Sequence, residues 1–199
     1  RPWKSQGLQR LAFGQENSEV SIIIQRSDMA AILFTSGSTG QPKGVVLGHR
    51  GICDYLDFQM TYPQVNPSSK TLQFAHLGFD AAIFEIFGTL FSGGELHLIE
   101  EIQRLDAFKT LEYINDNKIN RLFLPYVALQ YLTEEAVASD RFPMSLTEIT
   151  TGGELLKITE NIRKFFSNIP NAILKNIYGP TECTVNVTEL VLKGDPYQW

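Results

Sequence analysis

From Ala30 onward, short runs of Ile, Leu, Val and Phe alternate with amphipathic stretches. This alternation constrains the fold most, because it is the pattern of repeated strand and helix units. The apolar runs are Ala31 to Phe34, Thr71 to Ala75, Glu95 to Ile99, Asn120 to Leu124, Leu146 to Thr150 and Ile173 to Asn176. They are near-continuous rather than alternating, which suits strands of a parallel sheet covered on both faces. Helical spacing of apolar residues runs through His49 to Tyr62, Ala81 to Phe91, Asp106 to Asn117, Tyr126 to Ser139 and Thr159 to Phe166, with Asp106 and Thr159 as N-caps. Val187 to Leu192 reads as a further strand opening a second sheet, and Val20 to Ile24 as a strand or linker. The expected fold is α/β, a doubly wound, mostly parallel sheet flanked by helices. Residues 1–28 form a linker or extra strand, 29–187 one α/β subdomain and 188–199 the start of a truncated following subdomain.

In a doubly wound sheet the loops leaving the carboxyl ends of the strands form the ligand crevice. Those segments are Thr35 to Gly44, Gly78 to Asp80, Pro125, Thr151 to Glu154 and Ile177 to Glu182, and they hold nearly every glycine-rich or polar cluster in the chain. The site is therefore expected there.

Composition narrows the ligand. A net charge of −5 with no cluster of Lys or Arg lacks the electrostatic footprint of a nucleic-acid or anionic-membrane binder. A small molecule is favoured. No apolar run approaches the roughly 20 residues that span a bilayer, and Arg1 to Gln9 has no apolar signal core, so the expected location is cytoplasmic. Cys53 and Cys183 belong to no metal-spaced set and read as buried reduced thiols, and His49, His76 and His97 are likewise not spaced as ligands. Glu100, Glu101, Arg104 and Asp106 read as a solvated charged loop. The last residues, Gly194 to Trp199, stop in turn-like composition, as an excised fragment would.

The sharpest segment is Leu33-Phe34-Thr35-Ser36-Gly37-Ser38-Thr39-Gly40-Gln41-Pro42-Lys43-Gly44. Its glycines let the backbone turn with N–H groups exposed, its hydroxyls add donors, and Lys43 supplies a point charge, a combination that suits a polyphosphate. It is not the Walker pattern, since Pro42 precedes Lys43 and Gly44 follows it. A flexible Ser/Gly linker is the competing reading, but a linker does not ordinarily follow a buried strand.

This segment resembles the signature phosphate loop of the adenylate-forming superfamily, which includes acyl-CoA ligases, luciferases and the adenylation domains of nonribosomal peptide synthetases. Two further segments agree in order and spacing, Phe79-Asp80-Ala81-Ala82-Ile83-Phe84-Glu85-Ile86-Phe87 and Asn176-Ile177-Tyr178-Gly179-Pro180-Thr181-Glu182. The resemblance covers Ala30 to about Leu192, and its details are most similar to an adenylation domain of a nonribosomal peptide synthetase.

The resemblance implies an ATP-dependent ligase that joins a carboxylic acid to AMP and releases pyrophosphate. It puts Thr35, Ser36, Gly37, Ser38, Thr39, Gly40, Lys43 and Gly44 around the ATP phosphates, with Thr35 and Lys43 in catalytic roles. Tyr178 would lie against adenine with Asn176, Ile177 and Gly179 beside it, Thr181 on phosphate, and Glu182 on Mg²⁺. Gly152, Gly153 and Glu154 match a segment beside the adenine pocket, though two glycines equally suit a helix entry turn. Asp80 matches the acid that holds the α-ammonium in amino-acid-activating members, and it also suits the cap of the following helix. Phe79 matches an aromatic residue beside the reaction centre.

The side-chain pocket implied by the same resemblance is Ala81, Phe84, Phe123, Ile149, Thr151, Ile177, Val185 and Asn186. It is mainly apolar and lacks a charge, which favours a neutral hydrophobic amino acid. Thr151 and Asn186 are polar departures, while Phe84 and Phe123 equally suit plain core. In the parent the partner would be a carrier protein whose phosphopantetheine thiol receives the acyl group. The family's ribose-holding Asp, phosphate-side Arg and C-terminal Lys match nothing in this sequence. Two other readings stay open: an acyl- or aryl-CoA ligase core, and a non-catalytic binding module that keeps the fold.

Overall fold

The computed structural model describes residues 23–36 and 40–199. Most of the 1–28 segment, including Val20 to Ile22 of the first expected strand, lies outside these residues, as do Gly37, Ser38 and Thr39 of the glycine-rich bend. The elements in order are β1 Met29–Thr35, β2 Lys43–Gly48, α1 His49–Gln59, β3 Lys70–Gln73, α2 Asp80–Phe91, β4 Glu95–Leu98, α3 Glu101–Arg104, α4 Ala107–Asn117, β5 Arg121–Pro125, α5 Tyr126–Ser139, β6 Glu148–Gly152, α6 Glu160–Asn168, β7 Ile173–Tyr178 and β8 Thr188–Leu192. Two short 3₁₀ turns, Thr181–Cys183 and Pro196–Gln198, complete the list.

The main sheet has six strands in the order β4-β3-β5-β6-β7-β8. Strands β3 to β7 pair in parallel and β8 runs antiparallel to β7. The mostly parallel, helix-flanked sheet agrees with the α/β expectation. Val187 to Leu192 does not open a second sheet: β8 joins the edge of this one, and the Pro196–Gln198 turn behind it packs on α6.

A second difference concerns the glycine-rich bend. Ala31 to Phe34 is a strand, but β1 pairs antiparallel with β2 in a separate two-stranded sheet, with Thr35 opposite Lys43. The reason lies in which side chains are covered. Leu33, Val45 and Leu47 are buried while Ile32, Phe34 and Val46 are exposed, a period of two that fits a hairpin covered on one face. Its buried face packs on Ile52 of α1 and Ile83 of α2.

Strand alternation divides the main sheet between two cores. Leu122, Leu124, Ile149 and Leu174 point to the face covered by α4, α5 and α6, where they meet Leu111, Ile114, Leu129, Ile162 and Phe165. Each such side chain contributes about 1.5–3 kcal/mol by burial. Phe123 and Ile177 point to the other face, against Leu56 of α1 and Phe84 of α2. The two expected caps are present. The Asp106 carboxylate accepts from the Lys109 N–H at 3.1 Å and the Thr159 hydroxyl from the Ile162 N–H at 3.3 Å, each worth about 1 kcal/mol.

Candidate active site

The carboxyl ends of β3, β5, β6 and β7 open into a crevice of about 380 Å³. The segment after β3 contributes Ala75, His76, Phe79, Asp80 and Ala81; β5 contributes Phe123 and Pro125; β6 and its exit contribute Gly152, Gly153 and Glu154. Ile177 and Gly179 close it from β7, and Val185 returns from the following loop. A larger groove of about 700 Å³ runs between α4 and α5. It is lined mostly by aliphatic side chains and lacks the glycine-rich turns, so the crevice, where polar groups converge, is the better candidate.

Two glycines are required by close approach. A Cβ on Gly152 would lie 2.7 Å from Ile177 Cγ1 and 2.8 Å from the Ile177 carbonyl oxygen. One on Gly179 would lie 2.5 Å from Asn186 Cα, closer than any side chain tolerates. The loop after Gly179 then forces Thr184 and Val185 to φ of 60° and 77°. That region is costly for β-branched residues, and such strain gathers at functional sites.

Asp80 opens α2 at the crevice wall, with its Oδ1 accepting from the Ala81 N–H at 2.9 Å. Burial pushes its carboxyl above the usual range, and hydrogen bonds from the Ala81 backbone, the Thr181 side chain and the Val185 backbone hold it back. It has no ion-pair partner among the described residues. A half-buried carboxylate without a cation is a costly arrangement that a ligand ammonium would relieve.

Glu85, five residues further along the same helix, holds the wall in place. Its two carboxylate oxygens accept from the Phe74 and Ala75 N–H groups at 3.0–3.2 Å. Burial pushes its pKa up to about 7, against the pull of those amides, Gln73 and Arg104. Because the folded-state pKa is raised, the stability contributed by this group is full below about 4.5 and is lost as pH rises through about 7. The difference is on the order of 3 kcal/mol. Glu85→Gln cannot ionise, so denaturant titrations should show the variant gaining on the natural protein between pH 4.5 and 7.5. Parallel pH profiles would refute this.

Several of the residues expected on the nucleotide side lie near the same rim. Tyr178 ends β7 and is 70 % exposed. Thr181 and Glu182 begin the 3₁₀ turn, and Glu182 is exposed and forms no ion pair among the described residues. A free carboxylate at a crevice mouth fits a hard cation shared with phosphates. β2 passes within 8 Å, Cα to Cα, of this turn. Thr35 and Lys43 face each other across the mouth of the hairpin, with Ser36, Gly40 and Gly44 exposed beside them. β2, one arm of the hairpin, therefore runs beside the Thr181 to Cys183 turn.

Not every expected pocket residue reaches the crevice. Ile149 is fully buried in the core against α4 to α6, and Thr151 lies two residues on along the same face. Register explains this, since Phe123 pairs with Thr150 and side chains flanking Thr150 point away. Asn176 falls on that far face as well. Phe84 sits behind the wall, its ring 4.1 Å from Tyr55 in an edge-on contact. Asn186 lines a neighbouring cleft with Gly51 and Tyr55.

Sequence reasoning missed Arg104, His76 and Phe74, which line the crevice. Arg104 is not part of a solvated loop, and Cys53 and Cys183, expected to be buried, are exposed. Arg104 ends the short helix α3, pairs with Glu101 at 2.7 Å and lies 5.7 Å above the Phe74 ring. The signal was a lone cation three residues after an acid, which a helical reading would have joined.

Comparison with known proteins adds the following. A family model described as AMP-binding enzyme matches residues 3–198. Gramicidin S synthase 2 of Brevibacillus brevis is 35% identical over 170 residues, 85% of this chain and 4% of that protein. Tyrocidine synthase 2 of Brevibacillus parabrevis is 33% identical over 188 residues, 94% of this chain and 5% of that protein. This chain thus spans about a twentieth of the length of these relatives. Among solved structures, the nonribosomal peptide synthetase FmoA3 superposes with a TM-score of 0.80 at 24% identity, over 89% of this chain and 19% of that one. The Vibrio cholerae adenylation domain AlmE, solved with glycyl-adenosine-5'-phosphate, superposes with a TM-score of 0.74 at 24% identity, over 86% of this chain and 32% of that one.

Proposed function

We propose, from the premise that this chain belongs to the family of AMP-binding enzymes, that it forms the nucleotide and acid crevice of a ligase that activates an amino acid as its acyl-adenylate. The observation that carries the reading is the crevice edge where Asp80 meets Gly179 and Val185 and takes a hydrogen bond from the Thr181 side chain, with β2 running beside the Thr181 to Cys183 turn. In the reaction a carboxylate oxygen of the acid attacks the α-phosphorus of ATP. The new C–O–P link forms as the bond to the β-phosphate breaks, and pyrophosphate leaves with its electron pair.

The work of the protein is alignment and neutralisation of charge. Thr35, Ser36, Gly37, Ser38, Thr39, Gly40, Lys43 and Gly44 cradle the phosphates, with Lys43 offsetting the charge on the leaving pyrophosphate. Tyr178 stacks on adenine, Ile177, Gly179 and Gly152 to Glu154 border it, Asn176 supports them from the far face of β7, and Thr181 turns its hydroxyl to phosphate. Glu182 holds Mg²⁺, which supplies charge neutralisation at the phosphates when bound. Asp80 pairs with the substrate ammonium, and Phe79 and Ala81 flank it.

Ala81, Phe123, Ile177 and Val185 form an apolar stretch of the crevice wall, which supports a neutral hydrophobic side chain, and Arg104, which also lines the crevice, is already paired with Glu101. Phe84, Ile149, Thr151 and Asn186 then act from behind that wall. In the longer proteins to which this chain is similar, the acyl group would pass to the phosphopantetheine thiol of a carrier protein.

The test is exchange of labelled pyrophosphate into ATP by the full-length protein over a panel of amino acids. An apolar amino acid should support exchange, and Lys43→Ala should lower it by about 10²-fold, as loss of a charged donor to a transferring phosphate does. Exchange only with fatty or aromatic acids would favour a CoA ligase. Absence of saturable ATP binding by calorimetry would favour a non-catalytic module.

A further inference from the structure

Beneath the crevice floor lies a second cavity, of about 20 Å³. On the face of the sheet turned to α1 and α2, β5 presents Pro125, Phe123 and Arg121 from the rim inward, and β6 presents Gly152, Thr150 and Glu148 opposite them. Each step inward is about 6–7 Å along the strand. Phe123 lines both the crevice and the cavity, so its ring is the partition between them.

The cavity is polar. Two of the residues around it carry a buried oxygen with neither a hydrogen-bond partner nor a counter-charge, Gln59 Oε1 and Thr71 Oγ1, and Glu148 Oε2 lies beside them. The other end of the Gln59 amide is engaged, with Nε2 donating to the Tyr55 hydroxyl at 3.0 Å. Glu148 Oε2 already pairs with the Lys175 ammonium at 2.8 Å, and its remaining lone pair can accept once more. Buried oxygens left without partners are costly, and native proteins answer them with protein groups or ordered water. A space of this size holds one water, which needs two to four polar partners. Two acceptors and one hydroxyl are the complement of a water, which donates to Gln59 and Glu148 and accepts from Thr71.

We infer that this cavity is a hydrogen-bonding subsite beneath the side-chain crevice, filled by one water and closed off by Phe123. A terminal carboxamide has the same complement, two N–H donors and one carbonyl acceptor. A carboxylate does not, because it would face Glu148 and Glu85, and Arg121, the cation lining the cavity, is already paired with Glu148 at 3.0 Å. With Phe123 reduced, an amino acid ending in a carboxamide takes the water's place. This part rests on the amino-acid reading above.

Two experiments test it. A high-resolution crystal structure should show one water within hydrogen-bond distance of Gln59 Oε1, Thr71 Oγ1 and Glu148 Oε2, and an empty cavity overturns the inference. In the full-length protein, Phe123→Ala should raise the ratio of glutamine-dependent to apolar-substrate-dependent pyrophosphate exchange at least tenfold. Thr71→Val added to Phe123→Ala should cancel most of that gain. Should Phe123→Ala fail to fold, Phe123→Val is read by the same ratio with a smaller rise. An unchanged ratio in a folded variant overturns the subsite. Absence of exchange with every amino acid in the natural protein instead removes the adenylation reading, so the two failures are distinguishable.

Discussion

An Asp80→Ala variant of the full-length protein is expected to lose amino-acid-dependent pyrophosphate exchange by about 10²- to 10³-fold in kcat/KM. Removing one member of a desolvated charge pair costs about 2–5 kcal/mol, because the other charge is left without an answer. Here the abandoned charge would be the substrate ammonium. Asp80→Asn should recover little, since its amide still accepts from the Ala81 N–H but carries no charge. Full exchange by Asp80→Ala with the natural substrate would remove the ammonium role and favour an acid without an amino group.

Glu148→Ala is expected to have the largest effect on stability. Glu148 lies between Arg121 of β5 at 3.0 Å and Lys175 of β7 at 2.8 Å, with all three side chains at most 8 % exposed. Burial pushes the Glu148 carboxyl up, and the Arg121 and Lys175 charges outweigh burial and hold it below the usual range. The Lys175 ammonium also stands 3.1 Å from the centre of the Tyr62 ring, whose hydroxyl bonds to Glu189. Deleting the carboxylate strands two buried cations, at a cost of about 3–5 kcal/mol, a large share of the 5–15 kcal/mol typical of a folded domain. Replacing Arg121, Glu148 and Lys175 together by apolar residues of similar volume should recover most of the loss in urea titrations. A triple variant no more stable than Glu148→Ala would show that the cost lies in packing.

The sequence is legible where one signal dominates. Tyr126 to Ser139 is a helix with those bounds, and Asp106 and Thr159 cap the helices they precede. β2 was hidden because Lys43 to Gly48 opens inside the glycine-rich bend and runs into the helical pattern of His49. The Arg121, Glu148 and Lys175 row left no trace for a related reason. Each charge sits singly in an apolar run, and only the pairing of three strands brings them together. The crevice was foreseen by the rule for strand ends, whereas the facing of Ile149 and Thr151 was not. A near-continuous apolar strand hides which of its alternate side chains looks toward the ligand.

The loop between β7 and β8 is short and stapled. Its ends are joined by the Val187 N–H donating to the Tyr178 carbonyl at 2.8 Å, and the ladder behind it pairs Tyr178 with Thr188. Tyr178 at one end and Val185 and Asn186 at the other are thus locked in phase. Any insertion would swing both groups at once, so retuning such a protein for a different acid should proceed by exchanging single side chains or by transplanting the entire β7–β8 hairpin as a cassette.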